Sequence, residues 1–101
     1  MATDMDVHFE YHGNTFVRNA DKARSNLHKH GVAFEEAVAA FLDPLFVLVD
    51  ASRKDESRDA VIGFDAGGRL LYVVHVLIEA EVLRLVSARR ATPEEEALYA
   101  Q

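Results

Sequence analysis

Apolar and polar residues alternate between Val7 and Tyr11. Val7, Phe9 and Tyr11 fall on one side and His8 and Glu10 on the other, which is the pattern of a half-buried strand. Gly13-Asn14 tolerates left-handed backbone, and Phe16 and Val17 follow it, so residues 7–18 predict a β-hairpin. From residue 20 the period lengthens. Ala20, Ala23 and Leu27 recur at helical spacing over about 20–30, with Asn19 as N-cap and Gly31 as the left-handed residue that ends the helix. Lys22, Asn26, Lys29 and His30 share the other face of that helix. A second helix is expected over about 34–42, with Phe34, Ala37, Val38 and Phe41 inward. It stops at Asp43-Pro44, because proline disfavours helical geometry in the residue before it.

Four strands are predicted next: Leu45 to Asp50, Ala60 to Phe64, Leu70 to Leu77 and Val82 to Ser87. A charged loop over 51–58, a tight turn at Asp65-Ala-Gly-Gly and a turn at Ile78 to Glu81 separate them. Pro93 then takes the first position of a last helix. Thr92 caps it, and Glu94 to Glu96 lie in its first turn, where acids suit the helix dipole. The order predicts an α+β class and one domain over 1–101. An antiparallel sheet carries two N-terminal helices and a short C-terminal helix, and the hairpin precedes it.

Composition narrows the chemistry. The chain has 101 residues and no cysteine, so disulfides and thiolate-based metal sites are excluded, and the composition suits a reducing cytoplasm. The opening Met1 to Asp6 carries two acids and no apolar run, and does not read as a signal peptide. No apolar stretch is long enough for a membrane helix. No His pair has helical i, i+4 spacing with a supporting carboxylate, so no metal site and no cofactor are expected. The net charge of −6 runs against a basic nucleic-acid footprint, unless the cations gather on one face.

Several pieces sit in a recognisable order and spacing: Lys22-x-x-x-Asn26-x-x-Lys29-His30-Gly31, Asp43-Pro44, Ile62-Gly63, Arg69, the run Ser87-Ala-Arg-Arg-Ala-Thr92, Glu95 and Tyr99. Over residues 16–99 the chain resembles BrnT-like toxins, with residues 7–11 as an extension. The resemblance implies a compact RelE-like fold and the toxin component of a type II toxin–antitoxin module in the bacterial cytoplasm. It implies a metal-independent endoribonuclease that cleaves RNA and arrests growth. The partner it implies is a cognate DNA-binding antitoxin, with DNA contacted only through the antitoxin and a heterotetramer as the assembly.

RNA cleavage by internal attack needs the 2′-hydroxyl deprotonated, the leaving oxygen protonated and the phosphate charge stabilised, the last usually being the largest contribution. The resemblance, which implies reliance on Arg, Lys and a C-terminal Tyr, and the residues' own chemistry together give Arg58, His75, Arg89 and Tyr99 as catalytic candidates, and Lys29, His30, Arg53, Lys54 and Arg90 as RNA-binding candidates. Each has a structural alternative. Arg89 is able to pair with Glu94 or Glu95 and order the last helix. Arg53, Lys54 and Arg58 have Asp55, Glu56 and Asp59 to balance them. Lys29 and His30 complement the dipole at a helix end. His75 stands in an apolar strand, where packing explains it. The family often has a Ser where Ala33 stands, an aromatic near Arg18, and basic residues at 78–81 and in the last helix. The acids here, Glu79, Glu81 and Glu94 to Glu96, suit a basic antitoxin arm. The alternative reading is a catalytically silent module that holds a partner protein and modulates operon repression. A third is an α+β protein unrelated to RNA.

Overall fold

The computed structural model describes residues 5–101, and the part of the signal-peptide reading that concerns Met1 to Asp4 lies outside the described residues. The hairpin consists of β1 (Asp6–Tyr11) and β2 (Asn14–Asn19), antiparallel, with Tyr11 opposite Asn14. Its turn comes one residue earlier than expected, at His12-Gly13, with φ of 52° and 85°. Left-handed geometry at both central residues is what a two-residue hairpin turn of the right twist requires. Asn14 is therefore the first residue of the return strand.

Helix α1 (Ala20–His30) has the caps its sequence indicates. The Asn19 side chain accepts the Lys22 N–H at 3.1 Å, and Gly31 takes φ 71°. Its packing departs from the periodicity. Leu27, placed on the apolar stripe, is 49% exposed, whereas Asn26, placed on the polar face, is only 6% exposed. The side-chain amide explains the reversal. Asn26 Nδ2 donates to the carbonyls of Val32 and Ala88, both at 2.9 Å, and its Oδ1 accepts the Ala88 N–H at 3.0 Å. The helix docks through an amide that completes the backbone of a neighbouring strand, and of its apolar stripe Ala23 packs against the core while Leu27 stays exposed.

The second helix splits. Helix α2 (Phe34–Ala37) is one turn, and Val38–Leu42 tightens to 3₁₀ geometry. The segment lies close against a strand: a Cβ on Gly63 would stand 2.6 Å from the Ala40 carbonyl oxygen, so only glycine allows the approach. The N-terminus of α2 has half of a capping box. Glu36 Oε1 accepts the Ala33 N–H at 3.2 Å, but the methyl of Ala33 offers no acceptor in return. Ala33 already has extended geometry, with φ −80° and ψ 142°. Ala33→Ser is thus expected to stabilise the fold by about 1 kcal/mol. Thermal unfolding checks this, with a rise in Tm of roughly 4–8 °C for a domain of this size.

The remaining elements are β3 (Val47–Asp50), β4 (Asp59–Phe64), β5 (Leu70–Ile78), β6 (Val82–Arg90) and α3 (Pro93–Ala100), with a short 3₁₀ turn at Glu79–Glu81. The six strands form one sheet in the order β1-β2-β6-β5-β4-β3. The sheet is mixed, not purely antiparallel as expected, because β2 and β6 run parallel with Phe16 opposite Leu83. The chain leaves β2 into the helices, re-enters at the far edge, and returns by antiparallel turns until β6 lies beside β2. The hairpin is therefore part of the sheet and does not merely precede it. Strand β6 also outlasts its predicted end at Ser87, which puts Arg89 inside the strand, opposite Tyr72.

One face of the sheet carries α1, α2 and the core, where Phe16, Val32, Phe34, Val38, Val61, Leu71, Val73 and Leu85 are buried. The Arg69 guanidinium locks this layer. It donates to Asp65 Oδ2 at 2.8 Å, to the Gly31 carbonyl at 3.1 Å and to Glu36 Oε1 at 3.1 Å. Burial pushes the Asp65 carboxyl up, but the Arg69 backbone and side-chain donors outweigh it and hold the group below its ordinary value.

Candidate active site

Alternation along β5 sends Leu71 and Val73 into the core and Tyr72 and Val74 to the opposite face. Strand β6 needs a bulge to do the same. Val74 pairs with Ser87 and His75 with Leu85, so Val86 is the extra residue. The bulge lets Leu85 and Ala88 both enter the core while Ser87 and Arg89 face away from it. The loop after β3 then closes over this second face. The Ala51 N–H donates to the Arg58 carbonyl at 2.9 Å. The Ser52 hydroxyl donates to Asp50 Oδ1 at 2.6 Å and accepts the Arg58 N–H at 3.1 Å. The same hydroxyl contact lowers the Asp50 carboxyl from its ordinary value.

The result is a cleft of about 270 Å³, lined by Ser52, Arg53, Arg58, Tyr72, Ser87 and Arg89 among others. Arg58 and Arg89, far apart in sequence, meet there. The Arg89 guanidinium lies over the Tyr72 ring, 4.3 Å from its centre, which is a cation–π contact. Its Nη1 and Nη2 donate to the two oxygens of Glu95 at 2.8 and 2.9 Å. That fork raises the Arg89 pKa, and the Arg89 bond is the largest cause of the lowered Glu95 pKa. Arg58 is paired too: its Nε and Nη2 donate to Glu56 Oε1 at 3.0 and 2.6 Å.

The other candidates are dispersed. Arg53 reaches the cleft rim. Lys54, at φ 51°, stands at the tip of the loop. Both line an open hollow of about 550 Å³ together with Asp55 and Glu56. Lys29 and His30 are exposed at the end of α1, in the layer across the sheet. Arg90 is exposed at the end of β6, and alternation turns it away from Arg89. The Tyr99 hydroxyl donates to Asp43 Oδ2 at 2.7 Å, and its ring meets Phe64 edge-on at 5.3 Å. The bond to Asp43 raises the Tyr99 pKa. Tyr99 lies on α3 one turn beyond Glu95, so the helix is held at two points, Arg89 and Asp43.

His75 is only 5% exposed and faces the core. Its ring meets Phe41 edge-on at 4.9 Å, and Nδ1 lies 3.2 Å from the Val73 carbonyl oxygen. Burial pushes its pKa below the ordinary 6.5. A depressed His pKa means that the unfolded chain takes the proton first. The stabilising contribution is full above pH 6.5 and is lost as pH falls toward the depressed folded value. Melting temperatures taken through mildly acidic pH are expected to fall, and to fall less in His75→Phe. The lowered carboxylates, Asp65 and Glu95, act only at more acidic pH.

Tyr72, Ser52 and Ser87 belong to the cleft but were not among the sequence candidates. Tyr72 reads as packing in its apolar strand, and only its register opposite Arg89 reveals it. Among the described residues no three His, Asp or Glu side chains are grouped so as to hold a metal ion. No helix of the described residues is long and apolar enough to cross a membrane.

Comparison with known proteins supplies the family. No curated protein matches the sequence. The family model of the BrnT ribonuclease toxin of type II toxin–antitoxin systems matches residues 19–95, from the cap of α1 to the glutamate that holds Arg89. With most of its length matched in this way, the chain belongs to the BrnT toxin family of type II toxin–antitoxin systems.

Proposed function

We propose that the protein is a metal-independent endoribonuclease toxin that cleaves RNA in the bacterial cytoplasm. A DNA-binding antitoxin neutralises it within a heterotetramer and supplies the only contact with DNA. The observation that carries the reading is the convergence of Arg58 and Arg89 on one cleft. Two guanidiniums preorganised around a phosphodiester stabilise the charge of the crowded transition state, the role expected to dominate such catalysis. Arg53 and Lys54 extend the cationic rim along the RNA backbone. His75 and Tyr99 lie outside the cleft lining, so the reading rests on electrostatic stabilisation by the two arginines.

A second reading, the catalytically silent module, draws on a specific observation. Both arginines already hold carboxylates. One experiment separates the two. Purified protein is incubated with labelled RNA, with and without EDTA, beside induced expression in cells. Cleavage that persists in EDTA and leaves 2′,3′-cyclic phosphate ends, together with growth arrest, supports the enzyme. Intact RNA and full growth despite abundant folded protein select the silent module.

A further inference from the structure

Arg89 lines the cleft, and both of its outer nitrogens are held by Glu95 on the adjoining helix α3. A carboxylate and a phosphodiester offer a guanidinium the same thing: two anionic oxygens in one plane at hydrogen-bond distance. We propose that the Glu95 carboxylate masks the Arg89 guanidinium at the edge of the cleft, and that a phosphodiester binds there by displacing it from Arg89. The proposal rests on the ribonuclease reading for its ligand class, but the subsite itself is a matter of binding and not of cleavage.

Three observations support an exchangeable contact. Tyr72 holds the guanidinium from below by its ring face, so Arg89 keeps its place when Glu95 leaves. Glu95 has a second anchorage, since its Oε1 also accepts the Thr92 N–H at 2.9 Å, and a carboxylate released from Arg89 remains tethered at the helix cap. Helix α3 has no buried residue, so a small shift of its first turn uncovers little apolar surface. Arg58, which lines the same cleft, is also paired, its Nε and Nη2 both donating to Glu56 Oε1. Both arginines of the cleft thus carry a carboxylate partner.

The test uses Glu95→Gln. Glutamine preserves the capping box, because its side-chain oxygen accepts the Thr92 N–H as glutamate does, while it removes the charge that competes with phosphate. The probe is a short RNA with 2′-O-methyl ribose throughout, which has no free 2′-hydroxyl for internal attack and reports binding alone. The full-length protein is titrated with it at low salt by fluorescence anisotropy. Glu95→Gln is expected to bind roughly tenfold tighter than the unsubstituted chain, a difference of about 1.4 kcal/mol. The gain should vanish when Arg89→Ala is added. Equal or weaker binding by a folded Glu95→Gln protein overturns the proposal, and identifies Glu95 as a residue that positions Arg89. A gain that persists without Arg89 overturns it as well, since the effect is then general charge. Tighter binding with no cleavage of ordinary RNA leaves the subsite standing and removes the ribonuclease reading, so the two failures are distinguishable.

Discussion

Arg89→Ala is expected to lower the rate of RNA cleavage by about 10²–10³-fold, the usual loss when one preorganised donor to a developing negative charge is removed. The structure explains why the loss should fall on the chemical step. Arg89 is held by the bulged strand β6 and by the Tyr72 ring, so its charge is placed before substrate arrives. Alanine leaves Glu95 beside the cleft without its cation, and removes one of the two guanidiniums that line it. Arg89→Lys keeps the charge but loses the planar fork, and should fall between the two. Single-turnover cleavage of labelled RNA measures the effect, with circular dichroism to show that each variant is folded. In cells the alanine variant should no longer arrest growth. A folded Arg89→Ala protein that cleaves at the unsubstituted rate would remove this residue from the chemistry.

Asn26→Ala carries the largest expected effect on stability. One side chain satisfies two carbonyls and one N–H inside the protein. Each buried polar group left without a partner costs about 1–3 kcal/mol. Even with partial relaxation, a loss of about 3 kcal/mol is expected, which lowers Tm by more than roughly 10 °C. Asn26→Asp should be no better, because a carboxylate has no donor for the Val32 and Ala88 carbonyls. Urea unfolding of both variants measures the loss. A midpoint near that of the unsubstituted chain would show that water replaces the amide, and that α1 docks by other means.

Asn26 also shows where sequence reasoning reached its limit. Local chemistry was legible: the Asn19 and Thr92 caps, the Gly31 stop, Pro93 at a helix start and the strands around Ile62 and Val73 all depend on residues within a few positions. A buried asparagine is not legible in that way. Periodicity sorts residues by polarity, and Asn26 is polar, so it was set opposite Leu27. Only the backbone of β6, distant in sequence, makes it an inward residue. The parallel pairing of β2 with β6 was hidden for the same reason, since nothing near Phe16 specifies Leu83. At the cleft, Arg58 and Arg89 were legible as residues, through the family pattern, but their meeting was not. Tyr72 and Glu95 enter only through cross-strand register and a helix laid on the sheet. The net charge of −6 looked like an obstacle to RNA binding. In the cleft it takes a local form, with the acids Glu56 and Glu95 seated on the cations themselves.

The parallel contact between Phe16 and Leu83 also bears on how the molecule assembles. Strands β3 to β6 are consecutive antiparallel neighbours, so they zip by short loops and form the low-contact-order part of the fold. Docking the hairpin of residues 6–19 closes a loop made of most of the chain. Closure entropy rises only with the logarithm of loop length, so the penalty is small at equilibrium and falls mainly on the rate. The cleft belongs to the early part, with Arg58 before β4, Tyr72 in β5 and Arg89 in β6. Contact order therefore predicts that refolding builds the cleft region first and adds the outer flap of sheet in a slower, long-range step.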